Sequence, residues 1–195
     1  METKQNPGIH VRMLGRFEFS DGKRTLTQVE IHSERVTKLA AYLILHSRRA
    51  CSFRELIDEL WANDLSDNPV NALKNLMYRL RKILARVWPG VSFFLTSRGQ
   101  YQWNPDIPLT TDVREFEARF RDAKECPDGI EKRLRLVRAG ELYRGRFLED
   151  LSGEYWIMNA QILYQRMFME GARMLAKELE AEGDYRDFAP GLSLP

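Results

Sequence analysis

The sequence predicts a mostly α-helical protein with small β-sheets: a winged helix-turn-helix followed by an all-helical segment. Three observations carry this. In the first hundred residues, short strand patterns precede three helical patterns, and a hairpin pattern closes the set. From Asp112 onward, apolar residues recur at helical spacing through three further segments. Between them, from Asn68 to Pro105, the chain runs 38 residues without an Asp or Glu, where its average of 28 acids in 195 residues would place about five.

Ile9 to Phe19 alternates unevenly around Gly15, Asp21-Gly22 is a hairpin-turn dipeptide, and Thr25 to Ile31 is rich in β-branched residues. These predict an antiparallel sheet of three or four short strands, with Gly15 at a bend or bulge. Ser33 can cap a helix to about His46 that buries Val36, Leu39, Ala40, Leu43 and Ile44. Ser52 and Glu55 form a capping box opening a second helix, with Phe53, Leu56, Ile57, Leu60 and Trp61 inward.

Asn68-Pro69 starts a third helix, because an Asn caps and Pro suits the first helical position. It runs to Trp88, where Pro89-Gly90 stops it, and Val70, Leu73, Met77, Leu80, Leu84 and Val87 make its buried stripe. Val91 to Thr96 and Gln100 to Trp103 then flank a turn at Ser97-Arg98-Gly99, a hairpin with Arg98 near its tip.

Asn104 to Thr111, with two prolines, reads as a linker. Asp112 and Glu115 form a carboxylate capping box for the first of three more helices, about Val113–Lys124, Gly129–Tyr143 and Tyr155–Ala181. The last is apolar nearly all round in its first half, so neighbours are expected on more than one face. The domains are therefore expected at residues 8–105 and 112–195.

The net charge of +2 hides an asymmetry: residues 1–108 hold 16 Lys/Arg against 11 acids, residues 109–195 hold 14 against 17. A basic first half beside a mildly acidic second half suggests that one half meets a polyanion. The two cysteines are far apart and read as free thiols of a reducing cytoplasm. No apolar run is long enough for a bilayer, and residues 1–7 lack a signal-peptide core, so a soluble cytoplasmic protein with no membrane partner is expected. His10, His32 and His46 share no metal spacing. With no nucleophile–base set and no phosphate-cradling Gly loop, neither catalytic residues, nor a metal, nor a cofactor is expected.

Leu56-Ile57-Asp58-Glu59-Leu60-Trp61, Asn71-Ala72-Leu73 and Arg79-Leu80-Arg81-Lys82-Ile83-Leu84 resemble the second and third helices of OmpR/PhoB-type winged-helix domains. The Asn-Ala-Leu element, the short amino-terminal sheet and Thr96-Ser97-Arg98-Gly99-Gln100-Tyr101 are similar to the Streptomyces antibiotic regulatory protein (SARP) branch. Asp112 to Glu117, Leu142 to Leu148 and Glu182 to Tyr185 resemble the bacterial transcriptional activator domain, related to tetratricopeptide repeats, that follows in that family. The resemblance covers about residues 9–188 and departs at the wing, where Gln100 precedes Tyr101 in place of the family's Gly. It implies a transcriptional activator without a receiver domain, whose activator domain stops at Pro195 as the next helix should begin.

A recognition helix presents side chains three or four residues apart to base edges. Asn71, Lys74, Asn75 and Tyr78 occupy that exposed face, Asn suiting adenine and Lys guanine. Arg79, Lys82 and Arg86 are candidates for phosphates, and Arg98 for a minor groove. Arg81 stands between a phosphate contact and an ion pair elsewhere in the domain. The resemblance further implies that the loop 62–67, with Asp64 and Asp67, touches RNA polymerase, and that two copies bind together on DNA; the apolar stripe of the last helix offers a homodimer contact through the helical domain. The expected function is sequence-specific regulation on double-stranded DNA. The competing expectation is a protein-interaction module in which the helical domain binds a partner and the winged helix is only a scaffold.

Overall fold

A computed structural model describes residues 8–61 and 67–182. Its first layer is a four-stranded sheet in the order β3-β2-β1-β7, built from β1 (Ile9–Arg12), β2 (Glu18–Ser20), β3 (Thr25–Thr27) and β7 (Leu109–Thr111). The residues read as a linker thus contain a strand, and it pairs parallel to β1. The β-branched run ends earlier than expected. After Thr27 the chain turns into α1 (Gln28–Ile31), because the Glu30 carboxylate accepts hydrogen bonds from the Thr27 N–H and hydroxyl at 2.7 and 2.8 Å.

Helix α2 (Glu34–Leu45) lies at the centre, buried continuously from Val36 to Ile44. It packs against α1, α3 (Phe53–Leu60), α4 (Pro69–Val87) and β6 (Gln100–Trp103). The Ser33 side chain makes no capping bond. Ser52 does cap α3, accepting the Glu55 N–H at 3.1 Å, but Glu55 does not complete the box. Its carboxylate instead accepts from Arg49 and from the Tyr42 hydroxyl, tying α3 to α2.

A second sheet, order β4-β6-β5, joins β4 (Cys51–Ser52) and β5 (Phe94–Ser97) to β6. Where α4 ends and β5 begins, Phe19, Trp88, Phe93 and Trp103 pack ring to ring with centroids 5.1–6.1 Å apart. Aromatic pairs of this kind add about 0.5–1.5 kcal/mol each beyond the area they bury.

The second half is α5 (Asp112–Glu125), α6 (Ile130–Gly140) and α7 (Tyr155–Glu182). The cap of α5 is Thr111, whose hydroxyl accepts the Arg114 N–H, and not Asp112 as the pattern suggested. Asp112 is buried and accepts the Met13 and Leu14 N–H groups at 2.8 Å, along with that of Val113. Burial pushes its carboxyl above the usual range, and these hydrogen bonds hold it back. Gly15 is not simply a bend between strands. Its N–H donates to the Arg146 carbonyl, and a side chain at Gly145 would meet the Gly15 Cα at 3.2 Å, so two backbones cross where only glycine fits.

One hydrophobic core runs through both halves, from Ile9 and Leu39 to Phe116, Phe147 and Ile157. The apolar start of α7 is covered on one face only: Tyr155, Met158, Ile162, Leu163 and Met169 are exposed. No helix among the described residues is long and apolar enough to cross a membrane.

Candidate nucleic-acid interface

The interface is built on α4. Asn68 Oδ1 accepts the Asn71 N–H at 3.1 Å and Pro69 occupies the first turn, as the sequence signal required. Leu73, Leu76, Met77, Leu80 and Leu84 are buried, which turns the opposite face outward. Val70, placed in the buried stripe by its spacing, is instead 42% exposed. Its position at the first turn lies beyond the reach of the core that α2 and α3 provide.

Asn71, Lys74, Asn75 and Tyr78 are all exposed, and so are Arg79, Lys82 and Arg86. From Asn71 to Arg86 this face is roughly 22 Å long at 1.5 Å per residue. None of its four cations forms an ion pair with a described carboxylate, whereas Arg24, Arg49, Lys132 and Arg135 elsewhere each have one. Lys82 sits over the Tyr78 ring at 5.9 Å, which draws the ammonium along the helix without neutralising it.

Arg81 forms no ion pair with a described carboxylate. Its guanidinium donates to the Phe94 carbonyl at 2.9 Å and the Thr96 hydroxyl at 2.7 Å, and lies 5.7 Å from the Tyr101 ring. It therefore binds α4 to the β5–β6 hairpin. Nothing local in the sequence signals this contact, because the partners are 13 and 15 residues away.

The hairpin is tight. Ser97 pairs with Gln100, leaving Arg98 and Gly99 as its turn, both at positive φ (46° and 76°). It is anchored to α3, where the Phe53 N–H donates to the Gly99 carbonyl at 2.9 Å and the Phe53 and Tyr101 rings pack at a tilt with centroids 4.7 Å apart.

The far end of α4 is held by the Asp21 turn. Arg24 donates to the Val87 carbonyl at 2.9 Å, and the Trp88 indole N–H donates to Asp21 at 2.7 Å. Burial pushes the Asp21 carboxyl up, but hydrogen bonds from Arg24, Lys23 and Trp88 outweigh it and hold the pKa at about 2.

Beside α4 lies a cleft of about 590 Å³ lined by Ser33, Arg35, Trp61, Asn75 and Arg79, with the Arg35 guanidinium 5.7 Å from the Trp61 ring. The sequence read Ser33 only as a helix cap and did not single out Arg35; both reach this face through the packing of α2 on α4. Asp67 is exposed just before α4, while Asp64 and most of its loop lie outside the described residues, as does the segment Glu182 to Tyr185 beyond its first residue. Cys51 is buried, its thiol pushed up to about 11 by burial, which keeps it protonated at neutral pH.

Residues 28–100 match the model of a family described as transcriptional regulatory protein, C terminal. Over these residues the chain is similar to OmpR/PhoB-type winged-helix domains. The match takes in α1 to α4 and the first strand of the wing. In fold, 90% of the chain is similar to Mycobacterium tuberculosis EmbR, solved in complex with a low affinity phosphopeptide, with a TM-score of 0.69 and 19% identity. The chain spans 46% of that structure's length. The likeness extends past the winged helix and bears out the expected fold class, a winged helix continued by helices. No curated protein matches the sequence.

Proposed function

We propose that this protein is a sequence-specific DNA-binding transcriptional regulator, an activator, that places α4 in a major groove. Asn71, Lys74, Asn75 and Tyr78 read base edges, and Arg79, Lys82 and Arg86 hold phosphates. The observation that carries this reading is the α4 face: two exposed Asn side chains beside four exposed cations, none of which is paired with a carboxylate among the described residues. A merely solvated helix surface ordinarily interleaves both signs of charge.

The wing supports the same reading. A two-residue turn with positive φ at both positions suits Asn-Gly or Gly-Gly, yet Arg98 fills the first place at a cost of about 1–2 kcal/mol. An arginine kept in a strained tip fits a contact with a minor groove.

A second reading rests on the exposed stripe Tyr155, Met158, Ile162 and Met169 of α7. There the helical half meets a protein, a second copy or RNA polymerase, and DNA binding by the winged helix is dispensable.

The two are separated by binding to duplexes recovered from a random pool, measured across a salt series. Lys74→Ala, Arg79→Ala and Lys82→Ala together should flatten the log–log salt dependence by about 0.9 for each phosphate that the side chains no longer neutralise. An unchanged slope favours the second reading.

A further inference from the structure

We propose that Arg81 is a positioning residue for DNA recognition, a strut that sets where the wing stands relative to the recognition helix. The proposal rests on the reading of α4 and the wing as a DNA interface.

The hairpin has two strands and unequal support. Its inner strand, β6, is hydrogen-bonded to β4, and its turn is tied to α3 through Phe53 and Gly99. The outer strand, β5, pairs among the described residues with β6 alone. Beyond Phe94 its residues Leu95, Thr96 and Ser97 are all exposed, so apolar packing does not fix its approach to α4. Arg81 supplies that link. One guanidinium nitrogen bridges the Phe94 carbonyl and the Thr96 hydroxyl, two residues apart on β5.

Two features make this an arginine's task. The planar fork directs its N–H donors in fixed directions, so two acceptors on one strand define its plane. The Tyr101 ring on the paired strand lies 5.7 Å away and favours the delocalised cation. Arg81 also sits on the flank of α4, between the exposed base-facing row and the buried Leu80 and Met77. One of its guanidinium nitrogens is turned toward β5, although the residue itself is exposed. The groove-facing cations and the groove-spacing cation are therefore different residues on one helix. Because α4 addresses one groove and Arg98 its neighbour, a rigid distance between them converts two weak contacts into a single register on the duplex.

The experiment is a double-mutant cycle on the full chain, with duplex affinity and its salt slope as readouts. Amide exchange across residues 94–101 provides a third readout that does not need DNA. Arg81→Met should speed exchange in Leu95, Thr96 and Ser97 by about tenfold or more while leaving Leu76 to Leu84 protected. It should weaken duplex binding about tenfold. The Arg98→Gly penalty should shrink severalfold in the Arg81→Met background, because an unanchored wing cannot use its tip, whereas the Lys82→Ala penalty should be the same in both. Arg81→Lys, which keeps the charge but not the fork, should not restore binding.

Arg98→Gly and Arg81→Met penalties that simply add, or full rescue by Arg81→Lys with a wild-type salt slope, would make Arg81 an ordinary phosphate-binding residue and overturn the proposal. Unchanged exchange in β5 overturns the strut itself. A wild-type chain that ignores duplex DNA at low salt overturns the interface reading and the positioning role with it, whatever the exchange shows.

Discussion

Lys38 in α2 and Glu154 just before α7 face each other at 2.7 Å, with side chains only 8% and 14% exposed. The Lys38 ammonium also donates to the Ser152 carbonyl at 2.7 Å. Beside them the Tyr42 and Trp156 rings meet edge to face at 5.2 Å. The helical half is thus fastened directly to the central helix of the winged helix.

Breaking a buried ion pair costs more than the pair contributes, because the survivor keeps its desolvation penalty. Lys38→Met alone is expected to destabilise the protein by about 3 kcal/mol, read from the urea midpoint. Lys38→Met with Glu154→Leu should recover most of that loss. A double variant as unstable as the single one would mean that packing, and not charge, decides this contact.

Asp112 joins the halves at a second point. Asp112→Asn keeps the volume but leaves a single acceptor oxygen and turns an NH₂ group toward the Met13, Leu14 and Val113 donors. The expected loss is about 2–3 kcal/mol, since at least one buried N–H loses its partner. A thermal melt unchanged to within a degree would contradict this.

Base readers and phosphate-binding residues should fail differently. Asn71→Ala and Asn75→Ala are each expected to relax base preference at one position, costing about 1–3 kcal/mol on the preferred duplex and little on a random one. Lys82→Ala should weaken both duplexes alike. The comparison is read from competition binding, and equal losses for all three variants would remove the assignment of base readers.

Acid should loosen the turn that holds the end of α4. Asp21 has a native pKa of about 2 against an unfolded value near 3.9, so its contribution is complete above about pH 4. That contribution, on the order of 1–2 kcal/mol, is lost as pH falls from 4 toward 2. Asp21→Asn should flatten the fall in stability over that window, followed by urea melts at each pH. An identical slope in the variant would place the acid sensitivity elsewhere.

By itself the sequence determined the longer helices, the wing hairpin and the outward face of α4. Those rest on local rules: the cap at Asn68, the apolar repeat from Leu73 to Leu84, the turn at Arg98-Gly99, and a stretch cleared of acids. The three helices of the second half were equally legible, to within a few residues at each end. Only the tertiary structure decided what polar side chains do across long gaps in the chain. Glu55 looked like half of a capping box and serves Arg49 and Tyr42, while Asp112 looked like a cap and holds two backbone donors almost a hundred residues earlier. A linker with two prolines became a parallel strand, and Arg81 found the wing. The physical reason is that a helical period is written by residues four apart, whereas a buried hydrogen bond is chosen by whichever donor the folded chain brings within about 3 Å.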